Sequence, residues 1–258
     1  MLTRDYITSN LSEGVITADL SSWDEFSNLV TGRLLNTSNY IWRGQRSPDW
    51  ILESTLDRVL KKFDKNDSLM HLKNFKYASR GRLELNPEKM ESDDEWWALG
   101  QHYDLTPLLE WTISPFVAAY FAFCEDGNGQ DKRAIYSFAQ RTVIVKNNEL
   151  KMKNPSTSED DLCVKYIKPL FDDNSRLANR SGLFTKSPTG VDIEQWVRKN
   201  FSVVSKAKVI LLKLTLPNTE RTTILKALNR MNINHLTLFS DLPGVSKFSN
   251  MMLEIKKY

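Results

Sequence analysis

From Gln101 to Cys124 the chain reads QHYDLTPLLEWTISPFVAAYFAFC, and this stretch limits the fold more tightly than its surroundings. It opens polar at His102 and Tyr103, turns apolar at Leu108 and Leu109, and passes through Glu110, Trp111, Thr112 and Ser114. Behind Pro115 the apolar run is too continuous for a helix with one wet face. Ser114 is a good N-cap, and Pro115 stands at the first helical position, where its missing N–H costs nothing. The pattern predicts a short strand, Leu108 to Trp111, feeding a buried helix, Pro115 to Phe123. A polar cluster at the mouth of a buried helix is either a set of satisfied structural groups or a site.

At 258 residues the chain is expected to form a single domain over 1–258, and 41% hydrophobic residues are enough to build its core. A formal net charge of +3 permits a nucleic-acid partner without requiring one. The two cysteines, Cys124 and Cys163, form no disulfide or metal pattern and fit a reducing cytoplasm. The opening MLTRDYITSN lacks the order of a signal peptide, and no window approaches the roughly 18 apolar residues of a membrane span. A cytoplasmic protein with no membrane partner and no metal is expected.

Along the chain, a strand is expected near Gly14 to Ile16. Ser22 to Glu25 reads as a capping box opening a helix with Phe26, Leu29, Val30 and Leu34. Tyr40 to Gln45 reads as a strand. Helical patterns then follow from Leu52 to Leu60 and from His71 to Leu85, with basic residues from Lys61 to Arg82. That stretch is either a solvated face or a nucleic-acid contact. The N-terminal part, about 20–100, is therefore expected to be largely helical. Ala134 to Phe138 and Arg141 to Lys146 are expected as extended pieces, and 147–161 as a mobile insertion. Ile193 to Val197 reads as a helix, Val209 to Leu216 as a strong strand. Asn218 is expected to cap the helix that carries Ile224, Leu225 and Leu228. Val245 to Leu253 closes the chain as a helix. Strands and helices interleave without regular βαβ units, which points to α+β.

Four ordered motifs resemble the FRG-domain family, named for an aromatic-Arg-Gly strand end. The first is Trp42-Arg43-Gly44-Gln45, with Trp in place of Phe. The second is Gln101, His102, Tyr103, Thr106, Leu108, Leu109, Trp111, Thr112, Ser114, Pro115, Ala118, Phe121 and Ala122. It departs by Asp104 for Gly, one residue fewer before Thr106, and Glu110 for Asp. The third is Asn174, Arg176, Gly182 and Phe184, with Arg180 where the family tends to have Gln. The fourth is Leu238, Phe239, Asp241, Leu242 and Gly244, with Ser240 for Pro. The resemblance runs from about residue 20 to 250.

The family pattern in turn resembles the ADP-ribosyltransferase fold, which implies a split β-sheet core with flanking helices. It implies a strand-ending arginine, here Arg43, and a hydroxyl motif leading into a buried helix, here Trp111 to Ser114 with Pro115, Ala118 and Phe121. The implied catalytic set is Arg43, Glu110, Thr112 and Ser114. The implied NAD contacts are Arg43, Gly44, Gln45, His102, Tyr103, Trp111 and Arg180. Arginine suits the pyrophosphate, hydroxyls the ribose, and an aromatic the nicotinamide ring. The carboxylate that would sit against the reacting ribose is Glu110, Glu194 or Asp241.

The implied activity is NAD-dependent mono-ADP-ribosyl transfer by an intracellular toxin, in a toxin–antitoxin or phage-defence setting. Its acceptor would be RNA or a protein, and an antitoxin protein its partner. A non-enzymatic nucleotide or nucleic-acid binding module and an NAD glycohydrolase are the alternatives. Each residue also has a plain structural reading. Arg43 pairs with a buried carboxylate such as Glu110, Trp111 is core, His102 and Tyr103 are satisfied groups, and Asp241 is turn chemistry.

Overall fold

Strand-forming runs rich in Leu, Ile, Val and aromatic residues assemble one mixed sheet, and the apolar helices cover both of its faces. The structure, a computed structural model, describes residues 12–37, 39–59, 65–82, 90, 92–101, 106–126, 129, 131–168, 182–201, 209–239 and 241–258. Seven strands are found among them: β1 (Val15–Asp19), β2 (Tyr40–Gln45), β3 (Leu108–Thr112), β4 (Lys132–Ala139), β5 (Lys165–Ile167), β6 (Gly182–Lys186) and β7 (Leu211–Pro217). Their order across the sheet is β1-β7-β4-β2-β3-β6-β5. β1 and β7 run parallel and the other neighbours antiparallel.

The helices among the described residues are α1 (Trp23–Asn28, extended by a π-helical turn Leu29–Arg33), α2 (Thr55–Val59), α3 (Lys65–Ala78), α4 (Asp93–Gly100), α5 (Pro115–Phe123), α6 (Gln140–Lys153), α7 (Glu159–Leu162), α8 (Ile193–Asn200), α9 (Arg221–Arg230), α10 (His235–Leu238) and α11 (Leu242–Glu254). The chain is thus α+β, as the interleaving predicts.

β2 and α5 have the predicted bounds, because their signals are local. Ser114 Oγ accepts from Val117 N–H at 3.3 Å, with Pro115 inside the first turn. Residues Val117 to Tyr120, with Ala122 and Phe123, are buried, so α5 is enclosed on nearly all sides. One face of the sheet packs with α5, α1 and α9 through Trp42, Trp23, Phe26, Ala118, Ile224 and Leu228. The opposite face packs Ile41, Trp111, Phe138 and Val143 against Trp196 and Val197 of α8. A third cluster joins Leu56 of α2, Leu72 of α3 and Trp97 of α4 to Leu108 and Phe184.

Several expectations are corrected. Arg141 to Lys146 is the first part of α6 rather than an extended piece. Its β-branched run reads as strand, but only Val143 is fully buried, and the other residues lie on a wet helix face. The polar stretch 147–161 continues α6 to Lys153 and ends in α7. Asn218 does not cap a helix through its side chain: it begins a 3-10 turn, and its Oδ1 accepts from Arg133 Nε at 2.9 Å. Only half of the first capping box forms. Ser22 Oγ accepts from Glu25 N–H, while Glu25 turns to Ser21. The 20–100 region also contributes β2, the middle strand of the sheet, between its helices. Among the described residues no helix is long and apolar enough to cross a membrane.

Candidate functional site

β2 is unlike on its two edges. Against β4 it pairs along its whole length, Tyr40 with Ala139 through Gln45 with Ala134. Against β3, among the described residues, it pairs only at Trp42 and Thr112. Past that pair the strands separate, and a cleft of about 360 Å³ opens. This lies within the ~300–1,000 Å³ usual for small-molecule sites. Arg43, Arg46, Arg58, Trp50, Glu110 and Glu125 supply most of its chemistry, and Ala118 and Phe121 of α5 supply apolar wall.

Arg43 sits where the ladder fails. Its Nη1 donates to the main-chain carbonyl of Glu110 at 2.8 Å, bridging the gap that the missing strand pairs leave. Its Nε is buried and has no partner among the described residues. Burial pulls the guanidinium down to about 10 against the opposing pull of Glu110, so it remains cationic at neutral pH. The structural reading of Arg43 is met in modified form. It ties β3 to β2, through a carbonyl rather than a carboxylate, and it keeps a buried donor beside the cleft.

The neighbouring residues divide between site and scaffold. Gly44 is scaffold as well as lining: a Cβ there would lie 2.0 Å from the Ala118 carbonyl oxygen and 2.5 Å from Ala122 N. Only glycine lets β2 lie this close to the α5 backbone. Gln45 is buried, with Nε2 toward the Ile51 carbonyl at 3.5 Å, and so supports the 46–51 loop. Thr112 lines the cleft, and its Oγ1 accepts from Ser114 N–H at 3.1 Å. Ser114 itself is engaged as the cap of α5.

Trp111 borders the cleft, but its ring follows the core reading. Its indole is 1% exposed, stacked on Phe138 at 5.5 Å, with Nε1 donating to Thr185 Oγ1 at 2.8 Å. Alternation along β3 turns this ring to the core. Two of the three candidate carboxylates stand outside the cleft lining. Glu194 pairs with Arg198 one helical turn away, and Asp241 caps α11 by accepting from Gly244 N–H at 2.8 Å. Glu110 is the one of the three that lines the cleft. His102, Tyr103 and Arg180 lie outside the described residues.

Sequence reasoning missed four lining residues: Arg46, Trp50, Arg58 and Glu125. The Trp50 ring has the Arg46 guanidinium over it at 5.1 Å and that of Arg58 at 6.0 Å. Arg46 pairs with Glu125, whose other oxygen lies 3.6 Å from Lys247 Nζ. The available signal was three cationic or aromatic residues within thirteen positions after the Arg-Gly strand end. Cys124 also lines the cleft. Burial, with Glu125 adding to it, pushes its thiol up to about 12, so it stays protonated and is a poor nucleophile.

The cleft rim rests on a buried arginine. Arg133 is 0% exposed. Its Nε donates to Asn218 Oδ1, its Nη1 to the Arg46 carbonyl at 3.0 Å and its Nη2 to the Glu125 carbonyl at 3.3 Å. One guanidinium thereby fixes the exits of both β2 and α5. Arg221 supports the same end of α5, donating to the carbonyls of Phe123 and Cys124. Cations at a helix C-terminus complement its exposed carbonyls.

Residues 38–131 match the family profile described as the FRG domain, a span holding β2, the cleft lining and α5. The motifs around 174–184 and 238–244 lie beyond that match. Neither the curated proteins nor the solved structures searched yielded a match.

Proposed function

We propose that the chain is an NAD-dependent mono-ADP-ribosyltransferase, with NAD as substrate in the cleft between β2 and β3. The observation that carries this reading is the meeting of Arg43, Thr112 and Glu110 at the opening of the sheet. The lining suits the ligand. Arg46 and Arg58 add cationic charge to that of Arg43, and the buried Nε of Arg43 is costly unless an acceptor reaches it. A pyrophosphate offers such acceptors bidentately. Thr112 would face the ribose. Glu110 would face the positive charge that develops as the bond to nicotinamide breaks, and would take the proton as the acceptor's hydroxyl or amine bonds to the ribose. A protonated Cys124 does not compete as a nucleophile.

The same proposal includes a cytoplasmic toxin restrained by an antitoxin protein, in a toxin–antitoxin or phage-defence setting. This part rests on the family resemblance. A second reading has a specific observation behind it. With Glu194 and Asp241 outside the lining and Glu125 paired with Arg46 and Lys247, an arginine-rich cleft also suits nucleotide binding without turnover.

One experiment separates the readings. Purified protein is incubated with adenylate-labelled NAD and total lysate, then digested separately with RNase, DNase and protease. Transfer leaves label in one fraction, and Arg43→Ala removes it. NAD loss without label identifies a glycohydrolase. A folded protein giving neither is a binding module.

A further inference from the structure

Gln101 lines the cleft, and one end of its amide is tied down inside the fold. The residue follows directly on α4, a helix anchored at its start by a complete capping box between Ser92 and Glu95 and buried from Trp97 to Gly100. Its Oε1 accepts from the hydroxyl of Thr106, a residue that is 0% exposed. Thr106 Oγ1 in turn accepts from Leu108 N–H at 3.3 Å, and the Thr106 carbonyl accepts from Leu56 N–H at 3.2 Å. One buried residue thereby joins Gln101 to the start of β3 and to the start of α2, the helix that carries Arg58.

These bonds decide which way the amide faces. Turned over, it would bring a second N–H to an oxygen already engaged by Leu108 and would leave a buried hydroxyl hydrogen without an acceptor, which is costly. The Gln101 Oε1 is therefore used within the fold. Its Nε2 is the group left to offer, and it has no partner among the described residues.

We infer that Gln101 binds the ligand of this cleft as a fixed neutral donor, and that Thr106 is the residue that positions it. For the identity of that ligand the inference rests on the function proposed above. The buried Nε of Arg43 is a second donor of the same cleft without a partner among the described residues. Two such donors suit a ligand rich in acceptor oxygens. An amide already held in one orientation gives up little rotamer freedom on binding, so more of its hydrogen bond appears as affinity. NAD offers two kinds of acceptor, the pyrophosphate oxygens and the nicotinamide carboxamide oxygen. ADP-ribose keeps the first and lacks the second.

Calorimetric titration with NAD and with ADP-ribose tests this on wild type, Gln101→Ala, Thr106→Val, Thr106→Ser and the double variant Gln101→Ala/Thr106→Val. Gln101→Ala is expected to weaken binding about tenfold. A loss for both ligands assigns Nε2 to the pyrophosphate, and a loss for NAD alone assigns it to the carboxamide. Thr106→Val is expected to weaken binding about fivefold, and the double variant no more than Gln101→Ala does alone. Thr106→Ser keeps the hydroxyl and is expected to bind within about twofold of wild type. Gln101 is partly exposed, so Gln101→Ala should melt as wild type does and keeps the test decisive should Thr106→Val fail to fold. Wild-type affinity in Gln101→Ala would overturn the inference and leave the proposed function standing. Additive losses in the double variant would overturn the positioning role of Thr106. Wild-type protein that binds neither ligand would overturn the proposed function and this inference with it.

Discussion

The β4 edge and the β3 edge of strand β2 teach opposite lessons about one short sequence. On the β4 edge every residue is paired, and the faces of the strand are filled by α5 on one side and by Ile41's cluster on the other. On the β3 edge the pairing stops after Trp42 and Thr112, and an arginine spans part of what is left. The first edge is closed by backbone, and the face of the strand that meets α5 tolerates no added atom at Gly44. The second is closed by a side chain, which a ligand can engage. Stability concentrates on one edge and chemistry on the other, within one strand.

If that division is right, substitutions on the two edges differ in kind. The largest effect is expected from Gly44→Ala. Its new methyl meets backbone atoms of α5, which cannot rotate away, and a loss of more than about 3 kcal/mol is expected, with little folded protein recovered. Urea unfolding of the purified variant checks this. A stable Gly44→Ala would show that the packing of β2 on the α5 backbone can relax.

Arg133→Met comes next. It leaves the carbonyls of Arg46 and Glu125 and the amide oxygen of Asn218 without their buried donor. About 3 kcal/mol of stability should be lost, read from the same denaturation midpoint. Arg43→Ala should cost less, about 1–2 kcal/mol for one carbonyl contact, yet weaken NAD binding at least about 100-fold by calorimetry. A stability loss as large as that of Arg133→Met, with NAD affinity unchanged, would make Arg43 a purely structural residue. Trp111→Phe keeps most of the buried ring and loses the bond to Thr185. About 1 kcal/mol is expected, with NAD binding unaltered, because the indole faces the core.

A further effect is one of pH. The folded Cys124 thiol is raised from its ordinary 9.0 to about 12, so the folded state prefers the protonated form. Its contribution is fully present below pH 9 and is lost as the pH climbs toward 12. Cys124→Ala should flatten that part of the stability profile, measured by urea midpoints from pH 8 to 11. Slow alkylation of the native thiol at pH 8, fast in urea, checks the same protonation state.

Much of the scaffold was legible because its signals are short-range. Ser114-Pro115 and the apolar run behind it fix α5, and the alternation of Tyr40 to Gln45 fixes β2. Where a local signal was opposed by its surroundings, reading failed. Thr142 to Val145 favour a strand but fold as helix, because burial at Val143 alone decides how that segment packs. The site was half legible. The motif placed Arg43, Glu110 and Thr112 in order, while Trp50, Arg46, Arg58 and Glu125 carry no motif and reach the cleft through loops and a short helix.

Local signals along the chain set the α+β class, the bounds of β2 and α5, and the few side chains at their junction. Those depend on periodicity and capping, which act within one or two turns. Long-range packing set the rest: β3 leaves β2 after one pair, Trp111 turns to the core while Trp50 does not, and Asp241 serves a helix cap. Each of those outcomes is set by contacts between residues far apart in the chain, and no local pattern encodes them.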